Sequence, residues 1–287
     1  MKKLATRIIV MGMCAMMFGA SLINLVSVYA DRNQAAQEYA QLEELVTATP
    51  TTATVDEPEQ PIDEPALSAV EDTKEEQEVV VAEEVLVPEF EDESFPEITV
   101  NCDEFKAVND DFAGFLLYED AEIRLPVVQE DEEDEYLHQT FQGLENPAGC
   151  AFIFNDADAE FNSSLVIYGH NMKNGSMFGS LFNVNDKRDN PYFYVYTENG
   201  AKKYRVVSAY TCEAGDENVY HMPSDEDYDT YLSRALENGR YDDVVEFTDR
   251  EVYAMEQHAP IVTLSTCHGA AGTTTRFVVS GILIAED

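Results

Sequence analysis

Ile261-Val262-Thr263-Leu264-Ser265-Thr266-Cys267 is the stretch on which the reading of this chain turns. β-Branched and apolar residues dominate it, and neither Pro nor Gly interrupts before Gly269, so it reads as a strand that ends on a thiol. The run from Arg276 to Ile284 reads as a second strand. The residues between, His268-Gly269-Ala270-Ala271-Gly272-Thr273, are small and flexible, so a tight connection sets Cys267 and Arg276 side by side. A nucleophile at a strand end beside a fixed cation suits acyl transfer. The plain alternative is a buried cysteine in a β-hairpin, and for a lone cysteine that alternative is the better one. The rest of the chain must supply a partner.

The composition narrows the field first. The 287 residues carry 57 acidic and 17 basic side chains, a formal charge of -40. Nucleic acid is excluded as a partner, because binding it needs a basic face. Five cysteines are present. Cys102, Cys150, Cys212 and Cys267 have no close pair and no metal-ligand spacing, so no metal is expected.

Three blocks divide the chain. In residues 1–30, Lys2, Lys3 and Arg7 precede an apolar run from Ile8 to Tyr29, long enough to span a bilayer as a helix. The basic flank belongs on the cytoplasmic side, which places everything after Ala30 outside. Val28-Tyr29-Ala30 also resembles a signal-peptide cleavage site, but the apolar run is longer than a typical signal core, so an uncleaved anchor is expected. Residues 31–97 hold about twenty acidic residues against two basic ones, Arg32 and Lys74, with many prolines. Such a segment cannot bury enough apolar surface to offset ordering, so a disordered acidic stalk is expected, with a short helix over 31–46 at its start.

Residues 98–287 form the expected folded domain. Strands are predicted over 112–118, 123–128, 151–154, 164–168, 193–196 and 203–210, and short helices over 102–109, 136–141 and 176–182. Gln129 to Glu135 is a very acidic loop without the glycine a calcium loop requires. Ser224 to Leu236 is the clearest helix, with Tyr228, Tyr231, Leu232, Ala235 and Leu236 on one face and Ser224 as its cap. Many short strands with one inserted helix point to a mainly β domain, an antiparallel barrel or sandwich.

Five histidines are candidate bases for the thiol: His138, His170, His221, His258 and His268. His268 adjoins Cys267, but neighbours on an extended strand point to opposite faces. His221 and His258 sit in loops beside Met222-Pro223 and Ala259-Pro260. His170 ends the strand Leu165-Val166-Ile167-Tyr168 and follows Gly169, so it shares with Cys267 a place at a strand end. It comes first on those grounds, with a hydrogen-bonded turn histidine as the rival reading.

Tyr168-Gly169-His170-Asn171-Met172-Lys173-Asn174-Gly175-Ser176-Met177-Phe178, with Thr263-Leu264-Ser265-Thr266-Cys267 and Arg276, resembles the histidine, cysteine and arginine motifs of class B sortases. Pro126-Val127-Val128-Gln129 and Tyr136-Leu137 resemble a further stretch of that family, so the likeness covers about 98–287. The family's tryptophan after the glycine near the domain start is Phe115 here, and Asp156 is displaced from the family's aspartate and is given no catalytic role. The resemblance implies an eight-stranded β-barrel with the helix at 224–236 inserted before the cysteine strand. It implies a cysteine transpeptidase that needs no cofactor, with Cys267, His170 and Arg276 catalytic and Ser265 a substrate contact. Its substrates would be surface proteins bearing a C-terminal sorting signal. The acceptor would be a peptidoglycan amine or, in the alternative reading, a pilin lysine. A hydrolytic cysteine peptidase and a non-catalytic acidic surface module complete the alternatives.

Overall fold

In the computed structural model the described residues are 21, 26–48, 88, 90–91, 93–185, 189–221, 223–224, 226–239, 246–269 and 273–287. Helix α1 covers 26–42 and leads through a 3-10 turn at Glu43–Leu45 into β1 (Val46–Ala48). The chain continues with β2 (Ile98–Val100), α2 (Cys102–Val108), β3 (Phe112–Tyr118), β4 (Ile123–Gln129), β5 (Ala151–Ile153) and β6 (Leu165–Tyr168). Then come β7 (Tyr192–Thr197), β8 (Gly200–Glu213), α3 (Glu217–Tyr220), α4 (Tyr228–Gly239), α5 (Asp249–Glu256), β9 (Ile261–Cys267) and β10 (Thr275–Glu286). The eight strands β3 to β10 close into a barrel in the order β10-β8-β7-β3-β4-β5-β6-β9. Of the barrel, sandwich and eight-stranded expectations, the closed eight-stranded barrel is the one realised. Two pairings are parallel, β4 with β5 and β6 with β9, which an all-antiparallel reading did not anticipate.

The barrel strands are apolar on both faces because both faces are covered. Leu116 and Tyr118 of β3 point into the barrel core with Val127, Ile167, Val195, Val206 and Leu264. Phe115 and Leu117, one residue out of phase, point outward into a second cluster with Phe105 of α2, Phe141 and Leu42. Each such ring or aliphatic side chain taken from water contributes about 1.5–3 kcal/mol.

The segment inserted between β8 and β9 holds α3, α4 and α5. α4 begins at Tyr228, three residues later than the Ser224 cap predicts, and buries Tyr228, Tyr231, Leu232 and Ala235 as the spacing requires. It ends at Gly239, where a Cβ would lie 2.4 Å from the Cβ of Ser208, so the helix end can approach β8 only as glycine. α5 was not anticipated, although Thr248 and Glu251 form a reciprocal capping box whose spacing is legible. The helix expected over 176–182 is instead a series of turns: Asn171 bridges Met177, Gly175 has φ +83°, and only Leu181–Asn185 forms a 3-10 turn.

The largest departure lies at the start. Residues 31–48, read as the beginning of a spacer, pack on the barrel. Ala35, Glu38 and Leu42 are buried and Asp31 and Tyr39 half-buried, a spacing of four, three and four residues that marks one helix face. β1 pairs with β2, Val46 opposite Val100 and Ala48 opposite Ile98. Glu93 is ion-paired to Lys203 at 2.7 Å, and Phe90 lies 5.5 Å from the ring of Tyr253. Residues 31–48 and the described residues from 90 onward therefore both pack on the domain. The described ends of the acidic stretch are thus tied to the domain. The expectation of disorder within it falls mostly on residues outside those described, as does the transmembrane expectation for Ile8 to Tyr29. Among the described residues no helix is long and apolar enough to cross a membrane.

Candidate active site

Register fixes the site. β9 and β10 pair antiparallel with Cys267 directly opposite Arg276, so the two side chains share a face at adjacent positions. β10 pairs on its other side with β8, which sets Cys212 opposite Arg276. Arg276 Nη1 donates to the carbonyls of Thr273 at 3.0 Å and Thr275 at 3.2 Å, which anchors the guanidinium at this end of the barrel.

β6 runs parallel to β9 with Tyr168 level with Ser265. Gly169 N donates to Ser265 O at 3.1 Å, and Thr266 Oγ1 donates to Gly169 O at 2.7 Å. His170 and Cys267 thus leave the same end of a parallel pair, each two residues past the last paired position. Asn171 closes the junction: its Nδ2 donates to the Cys267 carbonyl at 2.8 Å. Cys267, His170, Asn171 and Arg276 are all half-buried. Among the described residues no hydrogen bond joins His170 to Cys267.

The orientation of His170 is set from behind. Its Nε2 lies 2.7 Å from Leu137 O. A carbonyl only accepts, so Nε2 carries a proton and Nδ1 is the nitrogen left to exchange one. The His138 ring stacks on it, with centroids 6.1 Å apart. Gly149 packs against it with φ +60°, and a Cβ there would stand 3.1 Å from His170 Cδ2 and 2.7 Å from Tyr136 O.

Beside Arg276 a cleft of about 620 Å³ opens, lined also by Phe154, Asp156, Ser164, Tyr168 and Tyr220. Phe154 and Tyr168 stack at 4.6 Å, and Tyr168 lies parallel to Tyr220 at 6.3 Å, giving the cleft an aromatic wall. Burial pushes the Tyr220 phenol up to about 12, and burial with the nearby Tyr220 pushes Tyr168 higher still, so both stay neutral donors. Ser265 does share the face of Cys267, but it is 2% exposed and its hydroxyl is bonded to Tyr220 OH at 2.8 Å. The residue on the cleft surface is Tyr220, with Ser265 beneath it. Tyr220 carries no sequence signal of its own, because it is brought to β9 across 45 residues of chain. Asn171 lies within the histidine motif, but only the fold gives it a partner.

The other described thiols are poorer nucleophiles. Burial pushes Cys150 up to about 12 and, together with Asp216, pushes Cys212 up to about 11; burial also raises Cys102. All four described cysteines are free, so no disulfide forms among them. Among the described residues no group of His, Cys, Asp or Glu could hold a metal ion.

A half-exposed thiol paired across strands with a guanidinium, with an oriented imidazole leaving the adjacent strand, belongs to thiol-dependent acyl transfer, here built on the rim of a closed β-barrel. The sortase domain model matches residues 118–284, more than half of the chain, and the chain belongs to the sortase family, the cysteine transpeptidases. Its relatives are of class B. Sortase B of Listeria monocytogenes serovar 1/2a is 28% identical over 191 residues, covering 64% of this chain and 74% of that one. Sortase B of Staphylococcus aureus is 24% identical over 177 residues, covering 60% of this chain and 69% of the other. The X-ray structure of Clostridium perfringens sortase B superposes with a TM-score of 0.55 at 27% identity, covering 64% of this chain and 99% of that one.

Proposed function

We propose that this sortase is held in the cell membrane by its N-terminal segment, cleaves a C-terminal sorting signal after threonine and joins the acyl group to a peptidoglycan amine, so that a surface protein becomes attached to the cell wall. The observation that carries the reading is the cross-strand pairing of Cys267 with Arg276 at the barrel end where Asn171, next to His170, bonds the Cys267 carbonyl. The Cys267 thiolate attacks the threonine carbonyl and forms a C–S bond. Arg276 stabilises the oxyanion, a task suited to a permanently charged group already held by two backbone carbonyls. His170 gives its Nδ1 proton to the departing amine as the C–N bond breaks, leaving a thioester. The acceptor amine loses a proton to His170 and attacks the thioester, and the new amide forms as Cys267 departs as thiolate. The aromatic cleft beside Arg276 suits the peptide that precedes the threonine. The basic residues Lys2, Lys3 and Arg7 before the apolar run support an anchor with the catalytic domain outside.

The test incubates the protein with a sorting-signal peptide at rising concentrations of a peptidoglycan-like amine. A ligated product that grows with the amine is expected, and hydrolysis alone at every amine level would overturn transpeptidation. Cys267→Ala should abolish acylation, and Arg276→Ala should lower kcat/KM by about 10²–10³. In cells, Cys267→Ala, His170→Ala and Arg276→Ala should each release the surface protein into the medium. Unchanged anchoring in all three would leave a non-catalytic role.

A further inference from the structure

We infer that helix α1 is a positioning element for the reaction: it braces the 137–149 loop that holds the His170 imidazole, with Tyr39 and Glu38 as its positioning residues. The inference rests on the reading of His170 as the proton donor given above.

The loop is a thin layer with a different neighbour on each side. Toward the site it supplies the Leu137 carbonyl bonded to His170 Nε2, the His138 ring stacked on His170, and Gly149 packed against His170 Cδ2. Toward α1 it is bonded three times. Asn146 Nδ2 donates to Asp31 O at 2.7 Å, Gln142 N donates to Glu38 Oε1 at 2.8 Å, and Tyr39 OH donates to Gly149 O at 2.7 Å. Gly149 thus touches both partners, accepting from Tyr39 through its carbonyl while its Cα lies against His170. Within itself the loop is held by the Gln139–Glu145 bridge, with Asn146 N donating to His138 O at 2.8 Å and Thr140 N to Leu144 O at 2.9 Å, and by turns in which Gly143 N donates to Thr140 O and Gly149 N to Asn146 O; the three bonds to α1 add to these.

The polar contacts are more than cover for the apolar surface. Ala35 and Leu42 alone would bury the helix face. Glu38 is 4% exposed, yet its Oε2 has no hydrogen-bond partner among the described residues, so its burial costs stability that an apolar residue would not. What Glu38 supplies in return is a fixed position for the backbone at Gln142. Burial holds the Tyr39 phenol well above its ordinary value, so it remains a donor to Gly149 at every pH of interest. An imidazole displaced by a fraction of an ångström loses its line to the leaving amine, and acyl-transfer rates are sensitive to such shifts.

The experiment uses the full chain in detergent and measures single-turnover acylation by two forms of one sorting-signal peptide. One form carries the ordinary scissile amide, whose amine must be protonated to leave. The other is an activated aryl ester, whose phenolate leaves without a proton. Tyr39→Phe keeps the ring and the packing and removes the hydroxyl, with its bond to Gly149 and its contact with the Cys150 thiol. It should slow the amide by about threefold to tenfold, the effect of one lost hydrogen bond, and leave the ester rate unchanged. Nitrogen NMR of the His170 ring should show proton occupancy spreading from Nε2 to Nδ1 in the same variant. Glu38→Ala should behave as Tyr39→Phe does, whereas Glu38→Gln, which retains an acceptor oxygen, should restore the amide rate. Wild-type amide rates in both Tyr39→Phe and Glu38→Ala, or equal slowing of amide and ester, would overturn the inference and leave α1 a structural cover. His170→Ala is measured beside them. If it spares amide acylation, the assignment of His170 as proton donor is what fails, whatever Tyr39→Phe does.

Discussion

Cys267 is set apart from the other described thiols by its surroundings. It is half-exposed and faces Arg276, whereas burial raises Cys102, Cys150 and Cys212 above the ordinary thiol range. Brief treatment of the native protein with iodoacetamide at neutral pH should therefore alkylate Cys267 before the other three, as read by peptide mass spectrometry. A second residue-scale expectation concerns Glu130. Burial, then the neighbouring Asp134, Glu135 and Glu133, push its carboxyl up to about 7. The folded state therefore holds the proton more tightly than the unfolded chain does. Stability from this group is full at pH 4 and is lost as pH rises toward 7, so above that the ionised carboxylate destabilises the fold. Glu130→Gln should match the wild type near pH 4 and be more stable at pH 8 by about 1–3 kcal/mol, measured by denaturant titration at both pH values.

At the scale of elements, the β8–β9 insertion is joined to the barrel by a buried ion pair as well as by apolar contact. Arg205 of β8 and Glu251 of α5 lie 2.9 Å apart at 1% and 2% exposure, and Tyr192 OH donates to the same Glu251 oxygen at 2.9 Å. Glu251 also closes the capping box that begins α5. Glu251→Ala should cost about 3–5 kcal/mol in denaturant unfolding, because it leaves a guanidinium buried without its counter-charge. Replacing both partners by apolar residues of similar size should recover most of that loss. The two elements misread from sequence err for physical reasons. The 176–182 segment has helical apolar spacing, but Gly175 in a left-handed turn and the Asn171–Met177 bridge win over it. α5 has a legible cap but too short an apolar face to announce itself.

For the whole molecule, the described flanks of the acidic stretch that looks like a spacer pair with each other as β1 and β2. Replacing residues 52–86 with a Gly-Ser linker of about twelve residues, with a reach of ~40 Å, should leave the melting temperature and peptide turnover close to wild type. Loss of turnover in the purified protein would mean that the stretch acts on the catalytic domain itself. What the sequence by itself determined was the candidate site residues and the strands that carry them. Cys267 and Arg276 are nine residues apart, so a hairpin places them together by local chemistry alone, and the apolar runs of the barrel strands declare burial on both faces. The tertiary structure alone decided the rest. The parallel β6–β9 pairing brings His170 to the same barrel end as Cys267, Tyr220 covers Ser265, and α1 lies behind the loop that holds the imidazole. Those contacts join positions 45 to 110 residues apart. A periodic pattern reports which face of an element is buried, but not which distant element buries it.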